Sequence, residues 1–174
     1  MNFEDFIQSI ESADLRAVAT HWRDARGDRK MPSWEQLRPS QMSAQIPMVW
    51  AYKYHRHTGQ FTGRLASDRI TQGFGKNFRG LLLEEAHPAE SLPWIHQCLT
   101  RIVSEPAVYT SIGKLFKLGE RVIDGERLAL PLSSDGIHGD GVLGASDYQF
   151  LPWVPGHSPV ELLTDVEQWF SLAQ

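Results

Sequence analysis

The side chains able to do chemistry in this chain are few and scattered. Cys98 is the single cysteine, which excludes an intrachain disulfide and any cysteine-rich zinc or iron–sulfur site. A lone thiol suits a reducing compartment, so the cytoplasm is expected. His55 and His57 share one strand face by their two-residue spacing, and His138 with Asp140 makes a second such pair. Two ligands do not make a site, and the first pair borders a hairpin turn where exposed polar residues are ordinary; no metal is expected. Ser133 and Ser134 stand beside Asp135-Gly136, but Ser-Ser-Asp-Gly is turn chemistry with a hairpin role. Gly-x-Ser-x-Gly is absent, Gly73-x-Gly75 has no glycine three residues later, and no Gly-x-x-x-x-Gly-Lys-Ser/Thr run occurs. Catalysis therefore has no motif behind it, and a non-enzyme is expected. Arg64 is more informative, because it lies in a predicted strand with Phe61, Gly63 and Leu65 on the opposite face. Its guanidinium would meet an anionic ligand or, more commonly, a carboxylate such as Glu126.

Composition narrows the classes. The chain has 174 residues, 41% hydrophobic and 22% charged, with a formal net charge of −4. At about 150 residues per domain this is one domain, large enough to bury a core without metals or disulfides. Arg23, Arg26, Arg29 and Lys30 alternate with Asp24 and Asp28, which cancels the field that phosphate-backbone binding needs. Nucleic acid is not an expected partner. No run of about 18 apolar residues occurs, and the first residues are acidic rather than basic, so neither a membrane span nor a secretory signal is expected.

The elements that must position these residues follow from periodicity. Phe3, Phe6, Ile7 and Ile10 keep helical spacing, as do Leu15, Val18, Ala19 and Trp22, but the two stripes are offset, which predicts two helices. Ser12 or Asp14 would cap the second and Gly27 end it. A connector follows, with a short turn of helix after Pro39-Ser40. Alternation over residues 48–66 about His57-Thr58-Gly59-Gln60 predicts a hairpin. Asp68–Phe74 and Leu81–Ala86 read as single helical turns, and Pro88–Ser104 as a longer helix with Pro93 near its first turn. Strands are predicted at about 107–118, 121–132 and 140–150, the last interrupted by Gly141 and Gly144. Ser158-Pro159-Val160-Glu161 has the pattern of a helix start, so a helix to about Leu172 is predicted. Strands grouped without βαβ alternation imply an antiparallel sheet with helices on one face, an α+β domain. The chain divides into residues 1–46 (helices and connector), 47–150 (core) and 151–174 (loop and helix).

Two strands, a cluster of short helices ending in a longer one, then three antiparallel strands is the order of a PAS domain. The residues narrow it: Trp22, Met31-Pro32, Pro39, Arg64, Gly75 to Gly80, Pro106, and the run Glu126-Arg127-Leu128-Ala129-Leu130-Pro131-Leu132-Ser133-Ser134-Asp135-Gly136. Together they resemble a divergent bacterial PAS-like family of small stand-alone proteins, over about Asp14 to Phe150. The resemblance implies a five-stranded antiparallel sheet with short helices on one face, here with helical extensions at both ends. It also implies a sensory or regulatory domain with a cavity between curved sheet and short helices. Trp50, Tyr52, Arg64, Phe78, His96, Tyr109, Phe116 and Tyr148 are the ligand-facing candidates.

The same resemblance brings two cofactors to weigh. Gly75-Lys76-Asn77-Phe78-Arg79-Gly80 is similar to the flavin signature of light-sensing PAS domains, but Phe78 stands in the place of their adduct-forming cysteine. Haem would need a cavity-facing histidine, for which His96 and His87 are the candidates. Neither cofactor is expected. PAS domains commonly dimerise through amino-terminal helices, so Phe3, Phe6, Ile7 and Ile10 are the expected homodimer surface, and a signalling protein the expected further partner. The alternatives are a small α+β pocket enzyme using Arg64, His96, Tyr109 or Asp147, and a purely structural adaptor.

Overall fold

The computed structural model describes residues 1–148, 160–162 and 166–173, with Leu118 and Glu161 described by their backbone alone. Both expected amino-terminal helices form where their caps predict. Asn2 and Asp5 make a reciprocal capping box on α1 (Phe3–Ser9). The Ser12 hydroxyl accepts from the Leu15 amide at 3.3 Å at the start of α2 (Ala13–Arg26), and Gly27 closes it at φ 54°. After three short 3₁₀ turns come β1 (Val49–His55), β2 (Gln60–Ala66), α3 (Asp68–Phe74), α4 (Leu83–Ala86) and α5 (Leu92–Ser104). The chain then runs through β3 (Ala107–Leu118), β4 (Arg121–Leu132), β5 (Gly141–Tyr148), β6 (Val160–Glu161) and β7 (Val166–Ser171). The strands form one antiparallel sheet in the order β2-β1-β5-β4-β3, with β6 and β7 both paired to the outer edge of β3.

Strand alternation divides the core in two. Leu128, Leu130, Leu132, Leu143 and Ala145 point to one face and pack under α1 and α2. Trp50, Tyr52, Tyr109, Ala129 and Val142 point to the other, under α3 to α5. The sheet is therefore covered on both faces, the short helices on one as expected and the amino-terminal pair on the other. Such a sheet has no solvated side on its central strands, and β5 is buried over Gly141–Ser146. Gly144, which broke the apolar pattern in the sequence, is a packing device: it pairs with Trp50, and a Cβ there would overlap the indole ring.

Two expectations are corrected. The carboxy-terminal helix is not formed among the described residues: Val166–Ser171 is strand β7, in register with β3 from Ala107↔Ser171 to Ile112↔Val166. The predicted start, Ser158-Pro159, lies outside the described residues, and Val160–Glu161 is strand. Local cap chemistry loses to the uncovered edge of a twelve-residue strand, whose open amides a strand can pair and a helix cannot. Phe3, Phe6, Ile7 and Ile10 are likewise not a surface for a second copy. Phe6, Ile7 and Ile10 are 1–2% exposed within the chain's own core, and the Phe3 ring lies 5.6 Å from Trp22 and 5.2 Å from Phe170. Strand β7 supplies the cover that the sequence reading assigned to a partner.

Phe6→Ala should therefore lower unfolding free energy by about 3–5 kcal/mol in urea titrations and leave the sedimentation coefficient distribution unchanged. Loss of an oligomer with stability intact would return these residues to an intermolecular surface.

Candidate functional site

Between the sheet and helices α3 to α5 lies a cavity of about 70 Å³. Its sheet wall carries Trp50, Tyr52, Tyr109, Phe116, Ala129 and Tyr148, and its helical wall is built mainly from Ile70, Phe74, Ile95, Leu99 and Ile102. The aromatic rings hold one another. Tyr52 stacks on Phe78 at 5.1 Å, Trp50 meets Tyr52 edge-on at 5.9 Å, and Phe116 meets Tyr148 edge-on at 5.6 Å. The Trp50 indole N–H donates to Ser146 Oγ at 3.0 Å. The Tyr148 hydroxyl donates to the Arg69 carbonyl at 2.9 Å, and the Arg69 guanidinium donates back to the Tyr148 carbonyl at 3.3 Å, clamping α3 to β5.

His87 is the main polar feature of this wall. It is 9% exposed, follows α4, and meets Phe74 edge-on at 5.0 Å. Its Nε2 lies 3.2 Å from the Tyr52 hydroxyl, while Nδ1 is buried without a hydrogen-bond partner. Burial, reinforced by Arg127 and Lys76, pushes its pKa down to about 3, so the ring is neutral at physiological pH. Tyr109 reaches the other way: its hydroxyl donates to Glu167 Oε1 on β7 at 3.0 Å, and burial pushes the phenol up. Trp169 is 4.8 Å from the Tyr109 ring, and the Arg101 guanidinium lies 4.0 Å over the Trp169 ring.

Of the ligand-facing candidates, Trp50, Tyr52, Phe78, Tyr109, Phe116 and Tyr148 line the cavity; Arg64 and His96 do not. Arg64 sits at a β-bulge, since Ala51 pairs with Leu65 and Tyr52 with Gly63, so the face assignment slips by one residue. Leu65 consequently joins the core under α1 and α2. Arg64 stacks on Trp34 at 4.3 Å instead of pairing with Glu126, whose carboxylate accepts from the Glu11 and Ser12 amides at 3.0 and 2.6 Å. His96 is exposed and donates from Nε2 to the Gly59 carbonyl at 2.9 Å, pinning α5 to the hairpin turn. Asp147 accepts from the Ser12 hydroxyl at 2.6 Å. The pocket-enzyme set thus has Tyr109 alone on the cavity. Arg127, Ser146, Trp94 and Cys98 were missed among the lining residues. Strand parity held the signal for two of them: Arg127 is two residues from Ala129, and Ser146 two from Tyr148.

His55, His138 and Asp140, from the pairs weighed for a metal, have other partners. His55 Nε2 is 2.9 Å from Thr62 Oγ1, and His138 Nδ1 is 2.8 Å from Asp135 Oδ2, while Asp140 accepts from the Ser134 amide at 3.0 Å. Contacts with His138 and nearby backbone amides hold the Asp135 carboxyl well below its usual range. Among the described residues no group of three metal-ligating side chains gathers. The cavity volume falls well below the roughly 300–1,000 Å³ of sites for drug-sized ligands, and Phe78, stacked on Tyr52, forms part of its wall.

The motifs behind the family resemblance meet in space. The Trp22 indole N–H donates to the Pro131 carbonyl at 2.9 Å, and the Ser133 amide donates to the Pro32 carbonyl at 2.9 Å, tying α2 and the connector to the end of β4. A family model described as PAS domain matches residues 10–146. No curated protein and no solved structure matches the chain.

The neutral His87 makes stability depend on pH. The unfolded ring takes up a proton near its ordinary value of 6.5 and the folded ring only near 3. Its stabilising preference for the neutral form is full above the first value and declines as pH falls toward the second. Between pH 7 and pH 5 the wild type should lose about 2 kcal/mol more than His87→Gln in urea titrations. Parallel losses would show that the histidine titrates normally in the folded protein.

Proposed function

The chain belongs to the PAS domain family, and from that premise we propose that it is a non-catalytic sensory or regulatory domain. A small ligand enters the cavity and biases the packing of helices and edge strand, and the readout is altered binding to a protein partner. The observation that carries this reading is Tyr109, whose ring walls the cavity and whose hydroxyl is bonded to Glu167 on β7. Ring displacement by a ligand would change the contacts of β7, which through Phe170 also touch α1. A ligand shifts such an equilibrium only by its differential affinity for the two packings, and a cavity wall that ends on a hydrogen bond to the edge strand β7 gives it contacts that differ between them.

The chemistry of the wall favours binding over catalysis. Among the described lining residues there is no carboxylate, and the His87 imidazole meets the Tyr52 hydroxyl rather than a carboxyl group. No helix among the described residues is long and apolar enough to cross a membrane. Cys98, half-buried and in no disulfide, suits a reducing compartment, in keeping with a cytoplasmic site of action.

Dissolved xenon, which fills apolar cavities without hydrogen bonding, is the direct probe. It should shift the amide resonances of Ala129 and Tyr109 and alter hydrogen exchange over Val166–Ser171, and Ala129→Val should abolish both effects. No cavity shifts in the wild type, or shifts with β7 exchange unchanged, would overturn the reading.

A further inference from the structure

A second buried histidine lies away from the cavity. His21, on α2, is 9% exposed, and its Nε2 accepts from the backbone amide of Arg38 at 3.0 Å. A backbone amide can only donate, so Nε2 is bare and the neutral ring carries its proton on Nδ1. A proton added at Nε2 would set donor against donor and break the bond. The place of this bond gives it weight. The connector between α2 and β1 is fastened at Pro32, whose carbonyl accepts from the Ser133 amide at 2.9 Å, and at Gln45, whose side-chain amide donates to Asp14 Oδ1 at 3.0 Å. Between those points, among the described residues, the bond to His21 is the one close tie to the rest of the fold; Arg29 reaches Gln36 only at 3.5 Å. The stretch so held carries Leu37 and Met42, both buried, and Trp34, on which Arg64 of β2 stacks.

We propose that the His21–Arg38 contact is a proton-operated latch: with the ring neutral it holds the connector on α2, and with the ring protonated residues 33–44 come away, uncovering Leu37 and Met42. The proton is then a second input, independent of the small ligand of the cavity and acting on the opposite face of the sheet. Few charges oppose this. Asp24, one turn along α2, favours the protonated ring, but its carboxylate is shared with Arg23, which also pairs with Glu4 of α1. The connector brings Glu35 and Arg38, whose side chains are exposed, and its turn Pro39–Met42 brings no charge. The faces of β4 and β5 under α2 bring only aliphatic residues, among them Leu128, Leu130 and Leu143. Burial outweighs Asp24, so the folded ring takes up a proton below its ordinary value of 6.5. The latch is therefore complete at neutral pH and above, and its hold declines as pH falls below 6.5, where the released ring gains its proton.

Protection of the Arg38 amide against hydrogen exchange, read by NMR on the full chain and corrected for the intrinsic rate at each pH, reports the latch. Between pH 7 and pH 5 it should fall about tenfold more in the wild type than in His21→Gln, whose side-chain oxygen accepts without titrating. The Leu143 amide of β5 should change equally in both proteins, which sets aside the titration of His87 and the loss of overall stability. In the wild type, long-range proton–nitrogen correlations of the imidazole should place the His21 proton on Nδ1 at pH 7, and the titration of His21 should coincide with the loss of protection at Arg38. These two readings decide the matter if the glutamine variant does not fold. Equal falls at Arg38 in the two proteins, a proton on Nε2 at pH 7, or a His21 that titrates while Arg38 stays protected would overturn the latch.

Discussion

Cover on both faces of the sheet governs the rest of this structure. Once β4 and β5 have no solvated side, each side chain on them must meet a partner of matching shape, and each open strand edge near them must be paired or shielded. The amino-terminal helices spend their apolar stripe on Leu128, Leu130 and Leu143. The edge of β3 is closed by β6 and β7. On the opposite face the aromatic residues of β1, β3 and β5 meet the short helices, and what space they leave is the cavity.

Most of the elements were legible because their signals are local. Ser12 and Gly27 bound α2, Gly59 lies in the hairpin turn, and Asp68–Phe74 is a helix as its spacing indicates. The misreadings share one cause, a long-range partner that overrides a local pattern. Ser158-Pro159-Val160-Glu161 has the chemistry of a helix start, yet Val166–Ser171 is strand because β3 offers it an edge. Arg64 was assigned a face by counting in twos, and the bulge at that residue breaks the count; Gly63 beside it, a residue type that often marks a bulge, was counted as an ordinary strand position. The apolar stripe of α1 was rightly read as needing cover; nothing in its own spacing says that the cover is Phe170 of the same chain.

The site was legible in part for the same reason. Aromatic residues at alternate strand positions point inward together, so Trp50, Tyr52, Tyr109 and Tyr148 could be grouped from the pattern. His87 and Cys98 reach the cavity from helical segments whose orientation depends on tertiary packing. His96, on the same long helix as Cys98, turns outward to the hairpin. Two histidines that looked equivalent in the sequence thus differ fully in environment: one is an exposed tether, the other a neutral ring held in an aromatic wall.

The meeting of α1 with β7 has a consequence for the order in which the chain is made. Phe3 and Phe6 pack on Phe170, and Ser9 bonds Gln168 at 3.1 Å across 159 positions. On the ribosome α1 emerges well ahead of β7, so the side of the helix that meets Phe170 stays uncovered while the residues between them are made. Contacts of such sequence separation also slow folding after release, because the loop entropy is lost before the contact forms. The interval in which this part of the nascent chain is open to chaperones, or to association with its neighbours, therefore grows with the separation between α1 and a six-residue strand.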